Sequence, residues 1–322
     1  MSRWLAALAF ASLGAAAAAG VRAADAPTPV PRAMAVTVDD LPALPSGDVA
    51  EMRRVTEEVL AALSRHRVTA VGFVNEGKLE PSGERGARLA LLESWLVAGH
   101  DLGNHTYSHP DINRVALGEY EQDVLRGEPG IRELLARRGR APRWFRHPLT
   151  HTGPTREVRT AFEAFLKERG YAVAPFTVEN SDYVFDVARR HATSRGERAA
   201  AERLRAAYVD YTLLVVERME ALSRDTFGRE IPQVLLVHAN RTNADALGEV
   251  LDRLAGRGYR FVSLDEALAD EAWRTPDEFV GLRGPSWLYR LRVAKGLPLR
   301  LESEPDPPQW VLDLYRNAQE RR

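Results

Sequence analysis

Four short stretches carry side chains that bind metals, hold charge or move protons. Asp39 and Asp40 are adjacent, and His105 and His109 stand four apart. Arg146 precedes His147, and His238 follows the apolar run Val234 to Val237. Two histidines four apart on a helical turn share a face and can hold one metal ion. Adjacent carboxylates point in opposite directions while a strand persists and reach one site where it ends. Pro42 argues that the strand ends there. Cysteine is absent, which excludes disulfides, zinc ribbons, iron–sulfur clusters and thiol nucleophiles. A metal in this chain takes His, Asp, Glu or water as ligands. Singly, each stretch has a plain alternative: a turn at Asp39-Asp40, a surface His-x3-His, a satisfied core histidine at 238. Their shared position at strand ends gives the set its weight.

The elements that must position them alternate. Apolar, β-branched runs at Met34 to Val38, Thr69 to Val74, His100 to Gly103, Trp144 to Arg146, Tyr171 to Phe176, Gln233 to Val237 and Arg260 to Val262 read as seven strands. Helically spaced stretches lie between them, as at 49–64, where Val55, Val59, Leu60 and Leu63 form one stripe. Arg169-Gly170-Tyr171 and Arg257-Gly258-Tyr259 read as helix C-caps feeding strands. This alternation predicts an α/β fold in which helices cover a parallel sheet, close to an eight-stranded barrel. In such barrels catalytic groups gather at the carboxyl ends of the strands. A long Ala/Arg/Glu/Leu helix over Arg195 to Ser223 interrupts the rhythm, with faces that read as solvated and a Tyr208–Tyr211 stretch placed to cap the site. An insert over about 187–230 and a Trp- and Pro-rich extension at 276–322, expected to pack on the barrel, complete the plan. The Trp residues read as packing. Tyr107 and Tyr183 read as lining the cleft.

The chain has 322 residues, 45% hydrophobic and 28% charged, with net charge −1. A basic excess that would neutralise phosphates is missing, so nucleic-acid binding is excluded as the main task. Residues 1–23 read as a secretory signal cleaved after Ala23, and 24–31 as an extended, Pro-rich lead-in. The expected product is exported (periplasmic or secreted, of bacterial type), without stable membrane insertion after cleavage.

The ordered motifs TVDDLP, HTYSHP, RWFRHP, ENSDY and LLVHAN resemble the polysaccharide deacetylase family, the NodB-homology fold of carbohydrate esterase family 4. The resemblance covers roughly residues 32 to 270, with the catalytic domain set at 32–275. It implies a distorted (β/α) barrel of about seven parallel strands. It also implies a divalent metal, zinc first with Co2+, Mn2+ or Ni2+ as alternatives, and hydrolysis of N-acetyl groups on a glycan. Carried over by position, Asp40, His105 and His109 bind the metal. Asp39 is the general base, held by a charge-assisted hydrogen bond from Arg146, and His238 is the general acid. The backbone N–H of Leu149, after Pro148, donates to the oxyanion, and Tyr183 lines the substrate site. Either Glu179 or Asp182 orients His238, with Asp182 preferred.

Such a set suits amide hydrolysis. A metal brings the pKa of water to about 7, a carboxylate takes its proton, and imidazole protonates the leaving amine. The chain departs from the family pattern at Leu41, where Gly is usual, and at His147-Pro148-Leu149, where Pro-Pro-Tyr is usual. It also lacks Trp after Asp182. These departures keep two other expectations in view: the same chemistry on an O-acetyl ester or non-sugar amide, and an inactive carbohydrate-binding relative.

Overall fold

The segment Ala33–Leu41 is buried at all nine positions, as a strand covered on both faces requires. It is β1, the middle of the sheet. The computed structural model describes residues 32–320 except 46 and 82. The signal and the whole lead-in lie outside these residues. In chain order the elements are β1, α1 (Val49–Arg65), β2 (Val71–Val74), α2 (Arg85–Val97), β3 (Asp101–Asn104), α3 (Leu117–Arg126), α4 (Pro129–Ala136), β4 (Trp144–Phe145), α5 (Arg156–Glu168) and β5 (Ala172–Val173). Then follow β6 (Val178–Glu179), α6 (Asp182–Ser194), α7 (Arg198–Phe227), β7 (Gln233–His238), α8 (Arg241–Gly256), β8 (Arg260–Phe261), α9 (Leu264–Leu268), α10 (Trp287–Ala294) and α11 (Gln309–Glu320).

All pairings are parallel, in the order β5-β4-β3-β2-β1-β7-β6, with β8 added at the start of β1. The end strands β5 and β6 are consecutive in the chain, yet only Ala174 to Thr177 separates them. Four residues reach at most about 14 Å, so the sheet must curl to bring its ends together. The result is a distorted barrel, open between β5 and β6. The seven strands read from periodicity are all present, and a short eighth, β6, joins them. Strand β6 is two residues long, too short for an alternating pattern, and lies just beyond the run Tyr171 to Phe176.

Alternation along the strands sorts the core into two layers. Met34, Val36 and Val38 join Leu235 and Val237 in the larger cluster under the helices. Ala33, Ala35, Val234 and Leu236 face inward with Phe73, Trp144 and Phe176. The inward series of β1 continues through Thr37 to Asp39. Helix α7 starts three residues later and ends four later than the sequence suggested, and it is not solvated all round. Leu204, Tyr208, Tyr211, Val215, Met219 and Leu222 are buried, a stripe at three- and four-residue spacing that the flanking charges obscure.

The C-terminal extension clamps the loop that follows β4. Arg290, fully buried, donates to Thr150 O (2.9 Å), Thr152 Oγ1 (3.2 Å) and Pro285 O (2.9 Å). Gly284 lies so close that a Cβ there would meet Thr150 Oγ1 at 1.9 Å. Arg290→Leu orphans these acceptors, whereas Asp277 keeps Arg159 at 3.1 Å. An unsatisfied buried acceptor costs about 1–3 kcal/mol. Thermal melts are expected to show a loss of that order, and an unchanged Tm would contradict the clamp.

Candidate active site

Strand β1 does not end before its two carboxylates; it runs on to Leu41. The register with β2 slips between Val38 and Leu41, and Asp40 takes φ 71°. This bulge, rather than termination at Pro42, turns neighbouring side chains into one site. His109, Leu149, Thr150 and Ser181 also hold left-handed φ, and all line the same cavity of about 930 Å3 with Asp39, Asp40, His105 and His238. Backbone strain of this kind collects where function over-determines geometry.

Asp40, His105 and His109 each offer one ligand atom, all within 4.8 Å of one another. His105 Nδ1 is 2.7 Å from Arg146 O. Only a protonated Nδ1 can donate to a carbonyl, which leaves the Nε2 lone pair for a metal. Burial also holds His105 well below the usual imidazole range, which keeps it neutral as a ligand must be. The donor set, two imidazoles and a carboxylate, suits zinc and its neighbours.

Asp39 Oδ2 lies 3.7 Å from Arg146 Nη1, an ion pair rather than the hydrogen bond expected. Thr37 Oγ1 takes Nη2 at 2.9 Å instead. Phe73 and Phe176 flank the guanidinium, 4.9 and 5.7 Å from ring centre to Cζ. Asp39 Oδ1 is buried without a partner. Burial raises Asp39 to about 6, against the opposing pull of Arg146 and His238.

His238 Nδ1 sits 2.7 Å from Asp182 Oδ1, and Asp182 Oδ2 accepts from His238 N at 2.7 Å and from Asn243 Nδ2. Asp182 therefore contacts His238 while Glu179 faces the cavity. Ser181, at φ 50°, reverses the chain so that the first residue of α6 points back to β7. Burial alone would lower His238. The buried Asp182 carboxylate outweighs it and carries the imidazole up to about 10. Glu179 is pushed up to about 7 by burial and then by Asp182.

Leu149 and Tyr183 line the cavity. Pro148 does not; it is buried behind Leu149 as the first residue of a tight turn. Tyr107 is turned away as well, its ring under the Arg126 guanidinium at 3.7 Å. Tyr211 of α7 does reach the cavity. Sequence reasoning missed Lys78, whose ammonium donates to Asp40 O (2.8 Å) and Oδ1 (3.0 Å). Its signal was available: it is one of three lysines against 41 arginines, four residues past the end of β2. Asn243 was missed too.

Fold and site together define a curled parallel α/β sheet whose strand ends carry a two-histidine, one-carboxylate cluster. Residues 26–173 match the family described as polysaccharide deacetylase. It is 24% identical over 238 residues to a peptidoglycan-N-acetylglucosamine deacetylase of Bacillus cereus, covering 72% of this chain and 66% of that protein. It is 34% identical over 91 residues to a chitooligosaccharide deacetylase of Bradyrhizobium, covering 27% and 39%. The match thus spans just under two thirds of the first relative's length and much less of the second's. Among solved structures, a mutant peptidoglycan deacetylase from Bacillus subtilis superposes with TM-score 0.50 at 20% identity, covering 77% of this chain and 95% of that one. A CE4 family pseudoenzyme from Bacillus anthracis superposes with TM-score 0.51 at 18% identity, covering 76% and 67%. These two likenesses speak to fold alone. Among the described residues no helix is long and apolar enough to cross a membrane.

Proposed function

We propose that this protein is a metal-dependent hydrolase that removes N-acetyl groups from an exported or cell-wall glycan. The observation that carries the reading is the convergence, in one cavity, of the Asp40–His105–His109 cluster with a base and an acid of opposite character. A divalent metal held by those three residues, zinc first, would polarise the acetyl oxygen and acidify water. Asp39, through its unpartnered Oδ1, takes a proton from the attacking water. Arg146 keeps Asp39 aimed and ionised. The backbone N–H of Leu149 donates to the oxyanion. His238 gives its Nε2 proton to the leaving nitrogen as the C–N bond breaks, and Asp182 stabilises the imidazolium. Tyr183 offers a face to the sugar.

Asp39 must be ionised and His238 protonated, so activity is expected between an acidic limb set by Asp39 and an alkaline limb set by His238. The two groups stand at about 6 and about 10. A bound dication lowers both, so the limbs fall no higher than these values. Asp182→Asn removes the charge that supports the imidazolium. A close opposite charge shifts a pKa by about 1–3 units, so the alkaline limb of kcat/KM should move down by that amount. An unmoved limb would separate Asp182 from the acid.

The reading is tested by acetate release from N-acetylglucosamine oligomers, peptidoglycan and an O-acetyl ester, with and without zinc. Metal-dependent acetate from the sugar amide supports it. Release from the ester alone favours the second reading, to which Leu149, half-exposed where the family places an aromatic residue, gives some ground. No acetate from any substrate at full metal occupancy would leave an inactive binding relative.

A further inference from the structure

Helix α7 interrupts the strand–helix alternation, and its Tyr208 does not cap the cavity. The side chain is fully buried and reaches the acid from behind. Its Oη donates to Asn243 Oδ1 at 2.5 Å. A phenol has one proton to give, so the same oxygen accepts from Asn180 Nδ2 at 2.8 Å. Burial holds the phenol well above its usual range, which keeps it a donor. The amide of Asn243, fully buried too, is thereby oriented. Its Oδ1 faces Tyr208, and its Nδ2 donates to Asp182 Oδ2 and to His238 O (2.9 Å). A flipped amide would set its oxygen against a carboxylate and a carbonyl. Asp182 Oδ2 is taken by Asn243 and by His238 N, so Oδ1 is left for His238 Nδ1. Asn180, Tyr208 and Asn243 thus form one chain of donors, each step directed toward the Asp182 carboxylate. Bonds aligned in this way polarise one another in a dry interior. None of the three lines the cavity, so the chain of donors acts on a substrate only through His238.

We propose that Tyr208 and Asn243 are positioning residues for the acid: through them helix α7 holds the Asp182 carboxylate, and the carboxylate fixes the tautomer and the aim of the His238 imidazole. The inference rests on the deacetylase reading, which gives His238 that part. With Nδ1–H engaged by Asp182, Nε2 is the ring atom that faces the leaving nitrogen. Removing the Tyr208 hydroxyl frees Asn243 to turn. A turned amide sets oxygen against carboxylate and pushes Asp182 away from Nδ1. A misplacement of about 1 Å at a reacting group costs about 10²-fold in rate. The step that feels it is scission of the C–N bond, because an amine leaves only when protonated. A nitrophenolate leaves without a proton. The chain of donors therefore matters for one leaving group and not for the other.

Tyr208→Phe removes one oxygen and keeps the ring against Phe185. Zinc-loaded enzyme at one fixed pH is assayed on an N-acetylglucosamine oligomer and on para-nitrophenyl acetate. The variant is expected to lose about tenfold or more in kcat on the oligomer with KM unchanged, and less than about twofold on the ester. The ratio of the two rates does not depend on the fraction of folded protein. Val215→Ala, which opens a cavity at a buried position of the same helix, should lower the Tm and leave the ratio at its wild-type value. Equal losses on both substrates, or none on either, would overturn the proposal. A second readout needs no turnover. Proton–nitrogen spectra of protein labelled at histidine should show a slowly exchanging Nδ1–H on His238, identified by its loss in His238→Gln. Tyr208→Phe and Asn243→Leu should speed its exchange about tenfold or more, as a misplaced partner predicts, and Val215→Ala should not. A signal unchanged in both variants sinks the positioning role. If neither substrate yields acetate, the deacetylase reading fails and this signal alone decides the proposal. If acetate is released while Tyr208→Phe keeps the wild-type ratio and signal, the reading stands and the proposal falls.

Discussion

Asp39→Asn is expected to lower kcat by about 10²–10⁴ while leaving metal content unchanged. The substitution is nearly isosteric and lies outside the Asp40–His105–His109 cluster, so the ligands stay in place. Asn cannot accept the proton that water must lose. The acidic limb of the pH profile, which belongs to a carboxyl raised by burial to about 6, should disappear with it. Arg146 would be left without its carboxylate in a buried setting, so the variant should also melt at lower temperature. Folded protein must therefore be confirmed before rates are compared. Near-wild-type turnover with a retained acidic limb would remove Asp39 as the base. Loss of metal together with activity would mean that Asp39, not only Asp40, helps to hold the ion.

Much of this arrangement was legible because the chemistry sits at strand ends, and strand ends can be read from local pattern. His105 and His109 follow β3 directly, and His238 closes β7. The route by which Asp39 and Asp40 converge was not legible. A proline suggested a strand end, whereas the strand continues through a bulge with a left-handed Asp40, a backbone choice that residue types alone do not declare. The partner of His238 stayed open between Glu179 and Asp182 because both lie in one short motif. It is decided by the turn at Ser181, which sends one carboxylate back and leaves the other on β6. The least legible part was the outer wall of the cavity, which the C-terminal extension supplies. Glu302, Glu304 and Asp306 lie more than sixty residues from His238, and the packing of α11 on α6, the Arg290 clamp and the Tyr211–Pro305 hydrogen bond bring them to the cavity. Periodicity registers neighbours along the chain; it has no access to contacts of that range.

The same distinction explains where the site is robust and where it is tunable. Floor residues are held by short bonds to the sheet: His105 to Arg146 O, Arg146 to Thr37, Asp182 to the backbone of His238. The wall hangs on a late segment joined through a few side chains. A substitution there would leave these floor bonds in place.

His109→Ala is the sharper test of the metal ligands. Its side chain is 29% exposed, against 2% for His105, so truncation opens little of the core and leaves the carbonyl of Arg146 satisfied. Removing an outer partner of a metal ligand already costs about 10–100-fold in affinity, and removing a ligand should cost more. Wild-type protein is expected to carry one divalent ion per chain by elemental analysis after dialysis, and His109→Ala to carry almost none. A ligand that binds only the native state stabilises it by about 4 kcal/mol at a thousandfold excess over Kd. Zinc should thus raise the wild-type Tm by roughly 5–10 °C and leave the variant's Tm nearly unmoved. The metal-free proteins should melt within a few degrees of each other, which separates lost binding from lost folding. A variant that keeps its metal and its zinc-dependent Tm rise would place the ion elsewhere and take the Asp40–His105–His109 assignment down with it.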